Sequence, residues 1–267
     1  MSSLRILRRY ASLYGDCLRM RIKEQLEYRL GFAVGLVAIF VVQGASLATI
    51  WVTMRQVPSL NGWSLPEVLL IYGLVIFSRA CTQMFTERIW VLGYIIRFGE
   101  FDRLLVRPIN PLFHLLSDGF NTEAVGTFLL GGALIITTGR ELGIFASLFN
   151  IVYLAVAIAS GAVIFFAINL ITGVSAFWII DSIPVMGAVF ENYLFVHYPI
   201  TIFPKAVQVL LTWVIPYAFA SFYPASFLLG RDIGPLVWIS PLIAAGLLAL
   251  GYRFWLAGLR RYESTGA

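Results

Sequence analysis

Long uncharged apolar runs alternate with short charged segments along this chain. Residues 30–54, LGFAVGLVAIFVVQGASLATIWVTM, carry no charge. About 20 apolar residues suffice for a helix to cross the hydrocarbon core of a bilayer, so this run predicts a first span. A second falls at 66–90, interrupted by Arg79, and a third at 118–138, with Asp118 and Glu123 near its start. The stretch from Leu142 to Ile180 is uncharged throughout, longer than one span and short for two plus a turn; the fourth span is placed at 144–170. The uncharged run 233–252 predicts the last.

Between the fourth and last spans the pattern admits two placements of a fifth. One puts it at 206–229 and leaves Asp181, Glu191, His197 and Lys205 in a loop. The other puts it near 177–198. The segment KAVQVLLTWVIPYAFASFYPASFLLG then dips into the bilayer and returns, broken at Pro216 and Pro224. Non-helical backbone at membrane depth is tolerated where protein or a cavity covers it. Either placement gives an all-α, polytopic bundle of six transmembrane helices.

Two polar segments carry helical patterns of their own. In residues 4–23, Leu4, Leu7, Ala11, Tyr14 and Leu18 recur at helical spacing with arginines between them. This predicts an amphipathic helix lying in the interface. The loop 91–117 holds GEFDRLLVRPINPLFH, where Phe98, Phe101 and Leu105 stand at i, i+3 and i+7. That is one apolar stripe on a helix of about three turns. Glu100 is placed to pair with Arg103 on its exposed side. Pro108 drives Arg107 out of the helical region and stops the helix. A short, stiff, charged helix held between two spans is suited to docking a partner; it is equally suited to anchoring the loop in the interface.

Composition closes off other classes. The chain is 60% hydrophobic and 12% charged, with a mean hydropathy of +0.86. Soluble domains are about 25% charged, and a water-soluble fold of this size leaves too much surface facing solvent to hide so many apolar side chains. The net charge of +5 sits beside apolar runs, which suits anionic headgroups and membrane orientation and gives no reason to invoke nucleic acid. Basic residues gather at Arg5, Arg8, Arg9, Arg19, Arg21, Lys23 and Arg29, at Arg88, Arg97, Arg103 and Arg107, and at Arg253, Arg260 and Arg261, while the opposite loops carry Arg55 and Arg140. The positive-inside rule therefore puts both termini and the 91–117 loop in the cytoplasm. The organisation expected is an interfacial segment 1–29, a bundle 30–257 with a re-entrant segment at 199–230 in the second topology, and a cytoplasmic tail 258–267. Cys17 and Cys81 fall at different depths, so no disulfide is expected. The N-terminal basic stretch is too long for the n-region of a cleavable signal. Trp51, Trp63, Trp90, Trp178, Trp238 and Trp255 mark span ends as an aromatic belt.

Candidate chemistry is sparse. No G-x-x-x-x-G-K-[ST] occurs, so the chain has no P-loop with which to cradle nucleotide phosphates. His114 and Asp118 are one residue short of an H-x-x-x-x-D spacing, and the two histidines are far apart; neither a catalytic pair nor a metal site emerges. Arg79 is the charge of most interest. An arginine at the bilayer centre costs about 2.5–3.5 kcal/mol on insertion scales, so it calls for a partner: Glu87, Glu123 on the next span, or another subunit. It reads either as a pathway or intersubunit charge, together with Glu123, or as an arginine snorkelling to the interface.

The segment GEFDRLLVRPINPLF resembles the G-x-hydrophobic-D-x-x-L-x-x-P-x-N-P-hydrophobic stretch of ABC-2-type transport permeases, the group associated with drug and antibiotic efflux. The spaced prolines of YPITIFPKAVQVLLTWVIPYAFASFYPASFLLG (198–230) and, loosely, SAFWI (175–179) extend the likeness. The resemblance implies a six-span exporter subunit in a bacterial cytoplasmic (inner) membrane, paired with a second identical or related permease and moving an amphiphilic, lipid-like or drug-like cargo. ATP and magnesium would sit on a dimer of partner ATPase subunits, docked on a coupling helix made here by Phe98, Glu100, Phe101, Asp102, Arg103, Leu105 and Arg107. It also implies a re-entrant segment before the last span, though Asp181 and Glu191 then fall inside span five. Competing readings are an ion-coupled secondary transporter, which would want paired intramembrane carboxylates and internal repeats, and a membrane-embedded lipid-modifying enzyme.

Overall fold

The computed structural model describes residues 29–263, apart from 58, 118, 120, 122, 180 and 232, together with 15, 19, 20 and 23; residues 29, 32 and 123 are described in backbone only. The expected amphipathic helix at 4–23 therefore lies largely outside the described residues. Among the described residues the regular structure is helical, apart from an isolated bridge between Leu60 and Trp63. The main helices are α1 (Arg29–Gln56), α2 (Leu65–Trp90), α3 (Leu92–Arg97), α4 (Glu100–Leu105), α5 (Pro111–Ser117), α6 (Glu123–Glu141), α7 (Leu148–Val174), α8 (Ile183–Phe190), α9 (Lys205–Val209), α10 (Phe222–Leu228) and α11 (Ser240–Arg261).

Four helical stretches are long and apolar enough to cross a membrane: Ala33–Gln56, Leu65–Arg97, Leu148–Phe177 and Ser240–Arg261. The pair Lys205–Val214 and Tyr217–Leu228 would make a fifth if taken as one span, but it is bent by 74°. Several hydroxyls in the long helices bond the backbone of their own helix. Thr49 donates to Ala45 O (2.9 Å), Thr138 to Leu134 O (2.7 Å), Ser160 to Val156 O (2.8 Å) and Thr172 to Ile168 O (2.8 Å). These four hydroxyls are thus satisfied without water, as suits an apolar solvent.

α2 is the centre of the bundle. It packs on α6 along one side and α7 along another; α7 in turn carries α11, and α1 lies mainly on α6. Small residues set the α2–α6 approach: a Cβ on Gly131 would fall 2.9 Å from the Cβ of Phe77, so only glycine allows these backbones so close. The core has two centres. One surrounds the first half of α2 and includes Tyr217, Phe219 and Phe222; the other surrounds its far end and includes Ile89, Phe101, Leu115 and Trp255.

Three expectations are corrected. The last helix begins at Ser240, not 233, and runs on through Arg261. Residues Pro235–Trp238 form a 3-10 turn after Gly234 (φ +83°), with a further proline, Pro241, in the helix's first turn. The run 206–229 is not one continuous helix. α9 passes into a π-helical turn at Leu210–Val214, Pro216 breaks it, and a 3-10 turn at Tyr217–Ala220 leads into α10. Asp181 and Glu191 stand beyond the two ends of α8 and not within it. The Asp181 carboxylate accepts the Ile183 N–H (3.1 Å) before α8 starts, and exposed Glu191 begins a 3-10 segment, Glu191–His197, after α8 ends.

Candidate functional site

The 91–117 loop folds as a hook of three short helices. The expected single helix is divided by Gly99, whose φ of +70° is left-handed and easily reached only without a side chain. The divide breaks the Phe98–Phe101–Leu105 stripe. Phe98 (62%) and Leu105 (43%) are exposed, whereas Phe101 (0%) is fully buried. Phe101 meets Tyr262, Phe177 and Trp255 edge-on, with ring centroids 4.8, 5.3 and 6.1 Å away. Beside it the Tyr262 hydroxyl donates to Asp102 Oδ1 at 2.9 Å. Burial pushes the Tyr262 phenol up to about 12, with the hydrogen bond and charge of Asp102 adding to it. α4 is therefore fastened to the end of α7 and to the residue that follows α11.

The outer side of the hook is polar. Glu100, Arg103 and Arg107 are exposed, and Glu100 and Arg103 stand one turn apart without an ion pair. A cleft of about 300 Å³ between α4 and α5 is lined by Arg88, Glu100, Arg103, Arg107 and His114. Arg107 Nη1 contacts His114 Nε2. The R-P-I-N-P sequence explains the turn. α4 stops at Leu105, ahead of Pro108, and the Asn110 Oδ1 then accepts the N–H groups of Leu112 (2.9 Å) and Phe113 (3.3 Å). Asn110 thus caps α5, with Pro111 at its first position.

The other end of α2 holds a clamp that the charge pattern did not reveal. Glu67 Oε2 accepts the Ser64 N–H at 2.7 Å and opens α2. Arg231 Nη2 lies 2.9 Å from Glu67, donates to Gly62 O at 2.8 Å, and the guanidinium stacks 4.0 Å over Trp63. Residue 231, just after α10, is thereby tied to the start of α2.

Arg79 lies at mid-length on α2, and its partners are aromatic. Its guanidinium carbon is 4.3 Å from the Tyr193 ring centroid and 4.8 Å from that of Phe190. Among the described residues no carboxylate pairs with it. Glu87 is not its partner, and Glu123 opens α6 with its side chain outside the description. Tyr193 packs on His197 (5.0 Å), His197 on Tyr72 (4.8 Å), and the Tyr72 hydroxyl donates to Gln43 Oε1 at 3.4 Å. This polar chain joins α1, α2 and the 190–197 segment. Charge counting missed it, but the sequence holds a signal: Phe190, Tyr193 and His197 stand at i, i+3 and i+7. The tryptophan belt is only partly present. Trp51, Trp178 and Trp238 are exposed, but Trp63 and Trp255 are buried in the two cores.

Long apolar spans, a broken and buried hairpin before the last helix and a charged hook between spans together describe a polytopic membrane transport protein. A family model described as ABC-2 family transporter protein matches residues 40–266, and the chain belongs to that family: it is an ABC transporter permease. The match takes in the hook, the Arg79 cluster, the hairpin and the last span. No curated protein and no solved structure matches the chain.

Proposed function

We propose that this permease is the membrane subunit of an ATP-driven exporter whose ATPase subunits dock on the hook. The observation that carries the reading is the split character of α4. Its Glu100 and Arg103 side is open to a partner, while Phe101 is locked among Phe177, Trp255 and Tyr262. A segment gripped from outside and fastened within passes a push from the ATPases to α7 and α11. Docking then falls to Phe98, Glu100, Arg103, Leu105 and Arg107, with Phe101 and Asp102 serving as the fastening.

In this reading the six spans are α1, α2, α6, α7, the 183–197 segment and α11, and Lys205–Leu228 is the re-entrant hairpin. The 74° bend and the burial of Tyr217, Phe219 and Phe222 support the hairpin over a single crossing. Both termini and the hook face the cytoplasm of a bacterial cell. α1 has little of its apolar surface covered, with Val34 (68%), Val37 (62%) and Val41 (65%) exposed, which suits packing against a second permease, identical or related. The cargo is an amphiphile, and the drive comes from ATP on the partner subunits, whose contacts with the hook differ between the inward and outward states.

Co-expression with a P-loop ATPase from an adjacent reading frame tests the docking. The ATPase should co-purify with the wild type. Arg103→Glu and Phe98→Glu should each weaken its retention by about ten-fold, or 1.4 kcal/mol, with membrane insertion unchanged. Retention unaffected by both changes refutes docking on the hook.

A further inference from the structure

The Arg79 cluster has more hydrogen-bond donors than acceptors. The two flanking rings take up the faces of the guanidinium, but stacking leaves its planar N–H edge free. Arginine presents five N–H donors and no acceptor, and among the described residues none of Arg79's meets an acceptor; its Nε is buried without a partner. Gln43 is buried, and its Oε1 is taken by Tyr72 while its Nε2 has no partner. The Nε2 of buried His197 is likewise unpartnered, and it is a donor in the tautomer that carries the proton there. Buried donors left unpaired cost free energy, and an uncompensated cation among apolar spans costs more. Tyr72 and Arg79 are seven residues apart, two turns along one face of α2, so these groups form a continuous ladder.

Unpartnered polar atoms along a ladder that ends in one cation are complementary to an acceptor-only group of opposite charge. We propose that Arg79, with Gln43, Tyr193 and His197, receives an anionic head group (carboxylate, phosphate or sulfate) of the transported amphiphile. The inference rests on the exporter reading for the word transported, but the binding itself does not need the ATPase. The aromatic walls, Phe190 and Tyr193, fix the guanidinium plane and present apolar surface to the chain next to the head group. Cationic amphiphiles are rejected by the like charge of Arg79, and uncharged ones leave it unpaired.

The test uses the full chain in nanodiscs of zwitterionic phosphatidylcholine, with octyl phosphate, octyl sulfate and octanoate as probes, added below their micelle concentrations. Octyl glucoside and octyltrimethylammonium serve as uncharged and cationic controls. A ligand that binds only the folded state raises the unfolding midpoint in a saturable way. The anionic probes should do so and the controls should not. Arg79→Gln should weaken the apparent affinity by at least about ten-fold, and Arg79→Lys should keep part of it. Should Arg79→Gln fail to fold, Gln43→Leu and Tyr193→Leu take its place and should each weaken binding by at least about three-fold. Equal shifts in wild type and all variants, or equal shifts from the controls, overturn the proposal. So does an Arg79-dependent shift produced by phosphatidylglycerol nanodiscs without any probe, because the anion is then the membrane's own lipid. Loss of a permease dimer in Arg79→Gln with no probe binding to wild type also overturns it, by assigning the cation to a partner subunit's carboxylate. ATPase retention, measured on the same variants, should stay at the wild-type level; its loss in the wild type itself would count against the exporter reading and not against the anion site.

Discussion

The two ends of α2 each carry a broken element, and they are built differently. The 205–228 hairpin turns its tip inward: Tyr217, Ala218, Phe219, Ala220, Phe222 and Ala225 are all buried, and Tyr217 stacks on Phe165 at 4.9 Å. The hook buries one aromatic from α4 and leaves charged residues outside. Both are tied by a long-range polar contact, Arg231 to Glu67 at one end and Tyr262 to Asp102 at the other. The difference teaches what each can do. An element whose tip and second arm are buried, and whose exposed first arm is apolar at Val209, Trp213 and Val214, serves as wall, because it offers no charged grip outside. An element with one buried anchor and a polar outer face serves as handle.

Substitutions can break or sharpen this contrast. The largest effect expected is at the anchor of the handle. Phe101→Ala should lower stability by about 3–5 kcal/mol, read from the unfolding midpoint of the purified permease, whereas Phe98→Ala three residues earlier should leave that midpoint unchanged. Next comes the clamp on the wall. Arg231→Ala should cost about 1–2 kcal/mol, less than a fully buried pair because both groups are partly solvated, and should leave ATPase retention untouched. Asn110→Ala, which uncaps α5, should cost about 1 kcal/mol. Tyr262→Phe should cost about 1 kcal/mol or less yet loosen the hook from α11.

The Tyr262 contact also has a pH signature. The folded-state pKa is raised from 10.0 to about 12, so the neutral phenol is the form the fold favours. Its contribution is complete below pH 10 and is lost as pH rises from 10 to 12. A cysteine probe on α4 should therefore show constant accessibility at neutral and mildly alkaline pH and gain accessibility only in that upper window, a gain that Tyr262→Phe should abolish.

How much of this was legible in the sequence follows from what each signal measures. Absence of charge reports desolvation, so the cores of α1, α2, α7 and α11 were readable as apolar runs. It does not report helix ends, which depend on backbone geometry. The last helix starts seven residues later than its uncharged run because Gly234 and Pro235 shape a turn first. Periodicity assumes an unbroken helix, and a single left-handed residue, Gly99, turned Phe101 inward while Phe98 stayed out. The motif located the hook but not its fastening, since Phe177, Trp255 and Tyr262 come from distant segments. Arg79 was noticed for its cost and given acidic partners because charge seeks charge; the structure supplies rings instead, and aromatic residues are too common in this chain to single out two of them. Arg231 was overlooked among residues expected to be loop.

The rigidity of the handle is the central claim, and its most direct measurement is a pair of spin-label distances in the permease–ATPase complex. Labels at positions 103 and 260 span the fastening between α4 and α11, and labels at 103 and 37 span the bundle. The expected result on adding ATP and magnesium is a 103–260 distribution that keeps its mean and width while the 103–37 distribution shifts. A 103–260 distribution that broadens or moves while 103–37 stays fixed would mean the hook swings free of α11, and would contradict the transmission of force through it.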